Sequence, residues 1–452
     1  MHSTIIKSTC GKLAALTIAA SATLTMTAKA DTVTTNGVTW TYTVNNATAK
    51  TVTLGDGSST YGNAIGGTGT SAYAADIPWK FIGETDGEVY TVTKIGQYAF
   101  RGCTKLTGNL AIPSSVTDIG VHAFYNCTGL TGLKLGSNVT TIGSWAFLFC
   151  ENMVFDLSEL ASVTSFPMGN SQYGPFDAGN KSKEGSWKSK CFGHARFHPN
   201  LTGISCCMFR GVPVTGITLP ESLTSIKDTA FAETKLKALW LKGSVNIDLK
   251  WCLGKTPLEI FFAGPNTTCS NPNPSDSGAK FTTDTAATFK VFIPATGNWL
   301  DLDTSNAPGV EKIYYGPGRG VDIVVNAARN ELTATPTNAT RLVTMMESAP
   351  LFREHFGLDT RISVTNAIDL TGVAITSEMV SGVTFDRLMF KVNNQTQLNA
   401  ILDAFPASTP LSIDPTDITE SLTVPAARKI HVMLSEADAV RLRVKGFMLI
   451  FK

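Results

Sequence analysis

The chain has 452 residues, with 37 Lys and Arg against 36 Asp and Glu, which gives a net charge of +1. Charged residues make up 16% of the chain, below the roughly 25% typical of soluble domains. Because no basic run stands out, capture of nucleic acid or of an acidic membrane by charge is not indicated. The length allows two or three domains.

The first 30 residues have the features of an export signal. Lys7 and Lys12 come before or at the edge of an apolar run from Leu13 to Met26, and Ala28-Lys29-Ala30 is a small-x-small cleavage site. The run is shorter than the about 20 residues that a bilayer-spanning helix needs. We therefore predict a cleaved signal peptide (1–30), a mature chain that begins at Asp31 and is secreted or held at the cell surface, and no transmembrane segment after cleavage.

Residues 31–90 have the pattern of a β-rich segment. The stretch from Thr39 to Val44 alternates apolar and polar residues, and a second short run follows from Lys50 to Leu54. Glycine-rich loops separate such runs. Since the next part of the chain is repetitive and a stack of repeats needs its first apolar edge covered, we predict an N-terminal β cap here.

A repeat occupies residues 91–266, interrupted at about 167–200 by a stretch rich in Gly, Ser, Lys and Asn. The first three copies begin at Val92, Val116 and Val139, so the period is 24 and then 23 residues, which is typical of a solenoid. Each copy ends in an alternating run such as Leu133-Lys-Leu135, which predicts a strand with one buried face in a parallel ladder. Every copy places an isoleucine five residues before a phenylalanine: Ile95/Phe100, Ile119/Phe124, Ile142/Phe147, Ile204/Phe209 and Ile226/Phe231.

The first copy carries a family resemblance. Its Ile95-Gly96, Ala99-Phe100, Cys103, Leu106 and Ile112-Pro113 follow the pattern I-G-x-x-A-F-x-x-C-x-x-L and a strand that ends in I-P. In this the chain resembles the BspA-like leucine-rich repeat family. The resemblance implies a leucine-rich-repeat solenoid, and it implies adhesion or protein recognition at the cell surface or after secretion.

The last part of the chain differs in pattern. Residues 267–318 are predicted to hold a closing strand, Phe289 to Pro294, and a linker that ends in the glycine-rich Gly316 to Gly320. Residues 319–452 alternate short apolar runs with helical spacing from Arg341 to Phe356 and from Gln395 to Phe405, which predicts a small α+β domain. The predicted fold class is thus α+β and β-rich, with a β cap, a leucine-rich-repeat solenoid and a C-terminal α+β domain.

The sequence offers no constellation for catalysis, a cofactor or a metal. Cys103, Cys127 and Cys150 recur three residues after the phenylalanine, which favours packing over a metal site or a disulfide. Cys206 and Cys207 are adjacent, and we expect one to point inward and the other outward, where Cys191 is a possible partner. We therefore predict no enzyme, no cofactor and no metal, with residues 319–452 as the part where an enzyme site could still form.

A recognition surface is predicted from the middle residue of each terminal strand, because its flanking apolar neighbours should face the core. This places Trp240, Phe261 and Phe292 on the outside, as an aromatic stripe suited to a protein or cell-surface ligand. The alternative is that the C-terminal domain folds back and covers the stripe. The slot of Tyr98, His122 and Trp145 is predicted to be ordinary surface. Two functional alternatives stay open: a structural envelope protein without a discrete ligand, and an enzyme.

Overall fold

The structure, a computed structural model, describes most of the chain from Ala30 onward. Residues 1–29 of the predicted signal peptide (1–30) lie outside the described residues, and so do most of residues 167–189 and all of residues 271–288. The described residues are 30–35, 37–58, 62–65, 72–73, 76–83, 86–166, 174–176, 190–249, 252–254, 256–270, 289–302, 304, 309–414, 422–425, 428, 430–432 and 442–444.

The N-terminal segment is made of strands that join the first repeat. Their bounds are β1 (Ala30–Thr35), β2 (Val38–Asn46), β3 (Thr51–Leu54), β4 (Ala72–Tyr73), β5 (Lys80–Ile82) and β6 (Val89–Ile95). Strands β1, β2 and β3 pair antiparallel, and β3 then pairs parallel to β6, the first strand of the repeats. Trp40 on β2 is fully buried, and its ring lies 6.4 Å from that of Phe100. This segment therefore covers the first aromatic ring of the repeat core.

The repeats form two parallel ladders on opposite sides of one core. Their strands are β7 (Leu106–Ala111), β8 (Asp118–Ile119), β9 (Leu130–Lys134), β10 (Thr141–Ile142), β11 (Val154–Asp156), β12 (Lys190–Phe192), β13 (His194–Arg196), β14 (Gly203–Ile204), β15 (Gly216–Thr218), β16 (Ser225–Ile226), β17 (Ala238–Leu241), β18 (Asn246–Asp248), β19 (Ile260–Ala263) and β20 (Thr268–Ser270). The short ladder runs through β6, β8 and β10 and resumes as β14, β16, β18 and β20. The long ladder has three hydrogen-bonded parts, which contain β7, β9, β11 and β12, then β13 and β15, and then β17 and β19.

The repeated isoleucines and phenylalanines fill the core, as predicted. Ile95, Ile119 and Ile142 occupy one register position of the short ladder. The rings of Phe100 and Phe124 stack with centroids 4.9 Å apart, and Phe147 follows at 5.4 Å. Each ring is thus packed between the equivalent rings of its neighbours, so truncating one would cost about 3–5 kcal/mol.

The glycine after the isoleucine is required by the close approach of successive turns. A Cβ atom on Gly120 would lie 2.5 Å from the backbone nitrogen of Gln97, and one on Gly143 would lie 2.5 Å from that of Val121. Real Cβ atoms do not come this close to backbone, so even alanine would force the turns apart. The fourth and fifth copies carry Ser205 and Lys227 at this position, where the sequence pattern also weakens.

The long ladder continues into the stretch predicted to interrupt it. Strand β12 pairs with β11, and β13 pairs with β15, so Lys190–Phe192 and His194–Arg196 are ladder strands within the predicted interruption of 167–200. Phe176 stacks on Phe147 with centroids 5.7 Å apart and fills the phenylalanine position there. The sequence pattern missed these strands because they lack the flanking Ile-Gly and Ala-Phe residues.

Two further strands extend the long ladder, β21 (Phe289–Pro294) and β22 (Val310–Tyr315). Both pair parallel, β21 with β19 and β22 with β21. Between them lies a short 3-10 helix, Gly297–Asp301, whose Trp299 is fully buried and donates its indole N–H to the carbonyl of Thr267 at 2.9 Å. Trp299 therefore closes the far end of the solenoid core.

The C-terminal part alternates strands and helices around a second core. Its elements are β23 (Val321–Asn326), β24 (Glu331–Pro336), α1 (Ala339–Phe356), β25 (Asp359–Ser363), β26 (Ile368–Asp369), α2 (Ser377–Val380), β27 (Thr384–Lys391), α3 (Gln395–Ala404), β28 (Leu411–Asp414), β29 (Leu422–Val424), β30 (Ile430–Val432) and β31 (Leu442–Val444). After an antiparallel β23–β24 pair, strands β24, β25, β27, β28 and β30 follow one another in parallel. The described part thus alternates strand and helix with parallel pairing, whereas an α+β domain segregates them.

Local sequence explains the helix ends. The Asn338 side chain accepts a hydrogen bond from the backbone N–H of Arg341 at the start of α1, and Gly357 ends that helix with a left-handed φ of 65°. Asn394 caps α3 in the same way through the N–H of Gln397. None of the described helices combines the length and the apolar character needed to cross a bilayer.

Candidate recognition surfaces

One residue of the predicted aromatic stripe, Phe261, does not face outward, and its neighbour Phe262 does. Strand pairing sets Leu239 opposite Phe261 and Trp240 opposite Phe262. Phe261 therefore points into the solenoid, where its ring lies 5.9 Å from Trp299, and the prediction that it faces outward is wrong. Four apolar residues in a row, Ile260 to Ala263, gave no alternation from which to read the register. Phe262 takes the outward position.

The outward aromatic residues are covered by α1. Phe352 lies 5.5 Å from Phe262 and 5.0 Å from Phe292, measured between ring centroids, and Phe356 lies 5.7 Å from Trp240. Phe292 is completely buried and Trp240 is half-buried. An exposed binding face at Trp240, Phe261 and Phe292 is therefore contradicted; the alternative, a contact between the ladder and the C-terminal part, is what the structure contains.

Ion pairs flank this aromatic contact. Lys290 lies 3.2 Å from Glu347 on α1 and 3.3 Å from Glu311. Glu259 lies 2.6 Å from Lys237 and 3.1 Å from Nε2 of His355 on α1. The hydrogen bond from Lys237 is the main cause that lowers the pKa of Glu259. Lys290 and His355 are largely buried, at 13% and 12% exposed, whereas Lys237 and the three glutamates are 38–51% exposed.

A second aromatic group remains at the surface, on the turns between the two ladders. We call it the turn cluster: Tyr98, Arg101, His122, Tyr125 and Trp145. The rings of Tyr98 and His122 stack at 4.9 Å, and the edge of Trp145 approaches His122 at 4.6 Å. The Arg101 guanidinium carbon lies 5.2 Å from the centre of the Tyr98 ring and 4.9 Å from that of Tyr125. The guanidinium is thus placed by two cation–π contacts.

The backbone of the repeat presents these side chains. Tyr98, His122 and Trp145 all have a left-handed φ, between 54° and 57°. Cys207 and Thr229 share this conformation at the same position of later repeats, so it belongs to the turn geometry and not to the cluster. For residues other than Gly and Asn, the left-handed conformation costs about 1–2 kcal/mol. Three successive aromatic rings at a position that favours glycine offset this cost through their mutual contacts.

His122 is the buried centre of the turn cluster, with 7% of its surface exposed, so the prediction that its slot is ordinary surface is wrong for this residue. Burial, helped by the nearby Arg101 charge, lowers the pKa of His122 to about 4. The imidazole is therefore neutral at neutral pH. Its Nδ1 atom is buried and has no hydrogen-bond partner among the described residues.

The recurring cysteines act in packing, as the sequence favours. The Cys127 thiol donates to the carbonyl of Phe100 at 2.9 Å, and Cys150 donates to that of Phe124 at 3.0 Å, one repeat earlier in each case. In a later repeat the Thr256 hydroxyl makes the equivalent bond to Phe231 at 2.7 Å. This slot therefore holds a small donor to a phenylalanine carbonyl. All eight described cysteines are buried, and the structure records none of them in a disulfide.

The C-terminal part contains a cavity of about 920 Å³ between α3 and the loop after β26. Its lining includes Leu370, Val373, Ile375, Lys391, Gln397 and Ile401. It lies at the carboxyl ends of β26 and β27, where open parallel sheets hold ligands. Within the described lining there is one lysine, Lys391, and one carboxylate, Asp403, and no histidine or cysteine.

The comparisons with known proteins concern the repeats. The family model described as "BspA type Leucine rich repeat region" matches six copies, over residues 89–165 and 183–268. A search of curated proteins finds no match.

Solved structures similar to this chain include three bacterial leucine-rich proteins. A leucine-rich cell surface protein from Faecalibacterium prausnitzii is 14% identical, with 91% of this chain and 97% of that chain covered and a TM-score of 0.39. The T. pallidum leucine-rich repeat protein is 19% identical over 50% of this chain and 83% of that chain, with a TM-score of 0.30. One from Bacteroides ovatus is 13% identical over 90% and 89%, with a TM-score of 0.28.

Proposed function

Residues 89–165 and 183–268 are leucine-rich repeats of the BspA type, and from this premise we propose that the protein is an exported, non-enzymatic module that recognises another protein. The site of action is the cell surface or the space outside the cell. The contact surface is the turn cluster. The predicted aromatic stripe is not the contact surface, because Phe261 faces the solenoid core and α1 covers Trp240 and Phe292.

The observation that carries this proposal is the placement of Arg101 over the rings of Tyr98 and Tyr125. Binding energy at protein interfaces concentrates in a few Trp, Tyr and Arg residues. Side chains already held in one geometry lose less entropy on binding. In the turn cluster the stacked rings rest on buried His122, and the backbone beneath them is fixed by hydrogen bonds between repeats, such as His122 N–H to the Ser144 carbonyl at 3.0 Å.

The test is photo-crosslinking followed by affinity measurement. A photoreactive phenylalanine replaces Tyr125 in the mature chain, and a matched control places it at Val324, which is 66% exposed on the C-terminal sheet. We expect a partner to be captured from Tyr125 and not from Val324. With the purified partner, Arg101→Ala should weaken the Kd at least tenfold, about 1.4 kcal/mol, whereas Thr131→Ala on the exposed ladder should not change it.

Two outcomes would contradict the proposal. Equal capture from both positions, or an unchanged Kd for Arg101→Ala in a variant that keeps its thermal midpoint, would remove the turn cluster from recognition. Crosslinks only between copies of this chain would instead favour the structural envelope protein.

A further inference from the structure

Cys206 and Cys207 are adjacent in sequence, and their thiols lie next to each other. Their sulfur atoms are 3.3 Å apart, which is within hydrogen-bonding distance. Both side chains are more than nine-tenths buried, at 8% and 3% exposed. The predicted split, with one thiol inward and one outward toward Cys191, is therefore wrong.

The turn geometry explains why the two thiols meet. Cys207 occupies the same repeat position as His122 and Trp145, and it shares their left-handed conformation with a φ of 55°. In a strand, neighbouring side chains point to opposite faces, but Cys206 and Cys207 lie in a turn after β14, where that alternation does not hold. The turn therefore directs both sulfurs to the same side.

We propose that Cys206 and Cys207 are a vicinal dithiol that is modified by disulfide oxidants and closes to a disulfide between adjacent residues. In the first step the Cys206 thiolate attacks a sulfur of a small disulfide, such as oxidised glutathione, and one thiolate leaves. In the second step the Cys207 thiolate attacks the Cys206 sulfur, and the second small thiolate leaves. The two protein protons end on the two released thiols, so one disulfide is exchanged for another.

Cys206 takes the first step because it is the more exposed of the two. The hydrogen bond with Cys207, then burial, and then the neighbouring Asp228 raise the pKa of Cys206. Since the thiolate is the nucleophile, exchange in the folded chain should be slow at neutral pH and faster at higher pH. Adjacent Cα atoms are about 3.8 Å apart, closer than the about 4.4–6.8 Å usual in disulfides. The product should therefore be readily reduced, which makes the modification reversible.

Cys127 and Cys150 have no cysteine next to them in the sequence. Cys127 and Cys150 come from different repeats, and each thiol is held by a phenylalanine carbonyl. They act as internal controls, because they experience the same reagent and the same fold. This thiol chemistry belongs to the folded chain and is independent of the proposed recognition function.

The experiment is peptide mapping of the mature chain after incubation with oxidised glutathione at about pH 8. Trypsin cleaves after Arg196 and Arg210, and the peptide between them contains Cys206 and Cys207 and no other cysteine. We expect this peptide to become lighter by two hydrogens and to resist alkylation, and dithiothreitol should restore two alkylated cysteines. Peptides with Cys127 and Cys150 should stay alkylatable throughout.

A variant separates the two chemical steps. In Cys207→Ser the first step can occur but the second cannot, so the 197–210 peptide should carry a glutathione adduct on Cys206. Full alkylation of both cysteines in the oxidant-treated wild-type chain would overturn the proposal, and so would a crosslink between this peptide and the one that contains Cys191. The wild-type result decides the matter even if the variant fails to fold.

Discussion

The ring of Phe352, on α1, lies 5.0 Å from the ring of Phe292, on β21, and both side chains are completely buried. This contact joins the second core to the outer face of the long ladder. Helix α1 therefore covers the aromatic residues on the outer face of the long ladder, so this surface is not available to a partner. The turn cluster, a half-exposed aromatic group, lies on the repeats nearer the N-terminus.

Removing the Phe352 ring should loosen the contact between α1 and the ladder. Phe352→Ala deletes packing against Phe262 and Phe292, and we expect a loss of about 3–5 kcal/mol in the free energy of unfolding of the C-terminal part. Hydrogen exchange of strand Ala238–Leu241 should rise in parallel. Val324→Ala, at an exposed position, is the control and should change neither quantity. Unaltered exchange in Phe352→Ala would show that the rings do not hold the two parts together.

The stacked phenylalanines should dominate the stability of the repeats. Phe124→Ala leaves a cavity between Phe100 and Phe147, and we expect it to cost about 3–5 kcal/mol in a denaturant titration. Thr131→Ala, on the exposed side of β9, should stay within about 0.5 kcal/mol. Because His122 is buried, His122→Ala should cost more than such a surface change. Equal midpoints for Phe124→Ala and Thr131→Ala would be incompatible with the register described above.

His122 should make the repeats sensitive to acid. Its pKa is lowered to about 4 in the folded chain from an ordinary 6.5, so between these values the unfolded chain binds a proton that the folded chain does not. Above about pH 6.5 His122 is neutral in both states, so its titration does not lower the free energy of unfolding. As the pH falls from 6.5 toward 4, proton binding by the unfolded chain progressively lowers the free energy of unfolding. By pH 5 the loss from this residue should be about 2 kcal/mol.

The matched variant is His122→Tyr, since Tyr98 occupies the same slot one repeat earlier. Denaturant titrations at about pH 7 and pH 5 give the change in unfolding free energy for each protein. Other groups titrate equally in both, so the wild-type chain should lose more than the variant by the amount above. Identical pH dependence in the two proteins would mean that His122 is not held in its neutral form.

Export should leave a chain that begins at Asp31. The basis is the Ala28-Lys29-Ala30 site after an apolar run too short to span a bilayer. Amino-terminal sequencing of protein recovered outside the producing cells should read Asp-Thr-Val-Thr. Replacing Ala28 and Ala30 by bulky residues should block this cleavage, and recovery of exported protein with Met1 intact would refute a cleaved signal.

The sequence alone determined the repeat, because local chemistry recurs there at a fixed spacing. The isoleucine and phenylalanine equivalent to Ile119 and Phe124 are buried in all five copies. Gly120 must be glycine because its backbone lies against the preceding turn. Such constraints depend only on the neighbouring copy, which has the same sequence pattern. Hence the family, the period and the core positions could be predicted without a structure.

Tertiary structure decided what the outer surfaces do. Whether Trp240 and Phe292 face solvent depends on α1, which begins more than 40 residues after β21 and carries no repeat signal. The register of Phe261 depends on pairing with Leu239, because its own neighbours are all apolar. Tyr98, His122 and Trp145 are 24 and 23 residues apart, at a position where the repeat motif has no fixed residue. Their side chains come into contact only because the repeats stack in three dimensions. A periodic sequence specifies the contacts between adjacent copies, whereas contacts between distant segments depend on packing that no local pattern encodes.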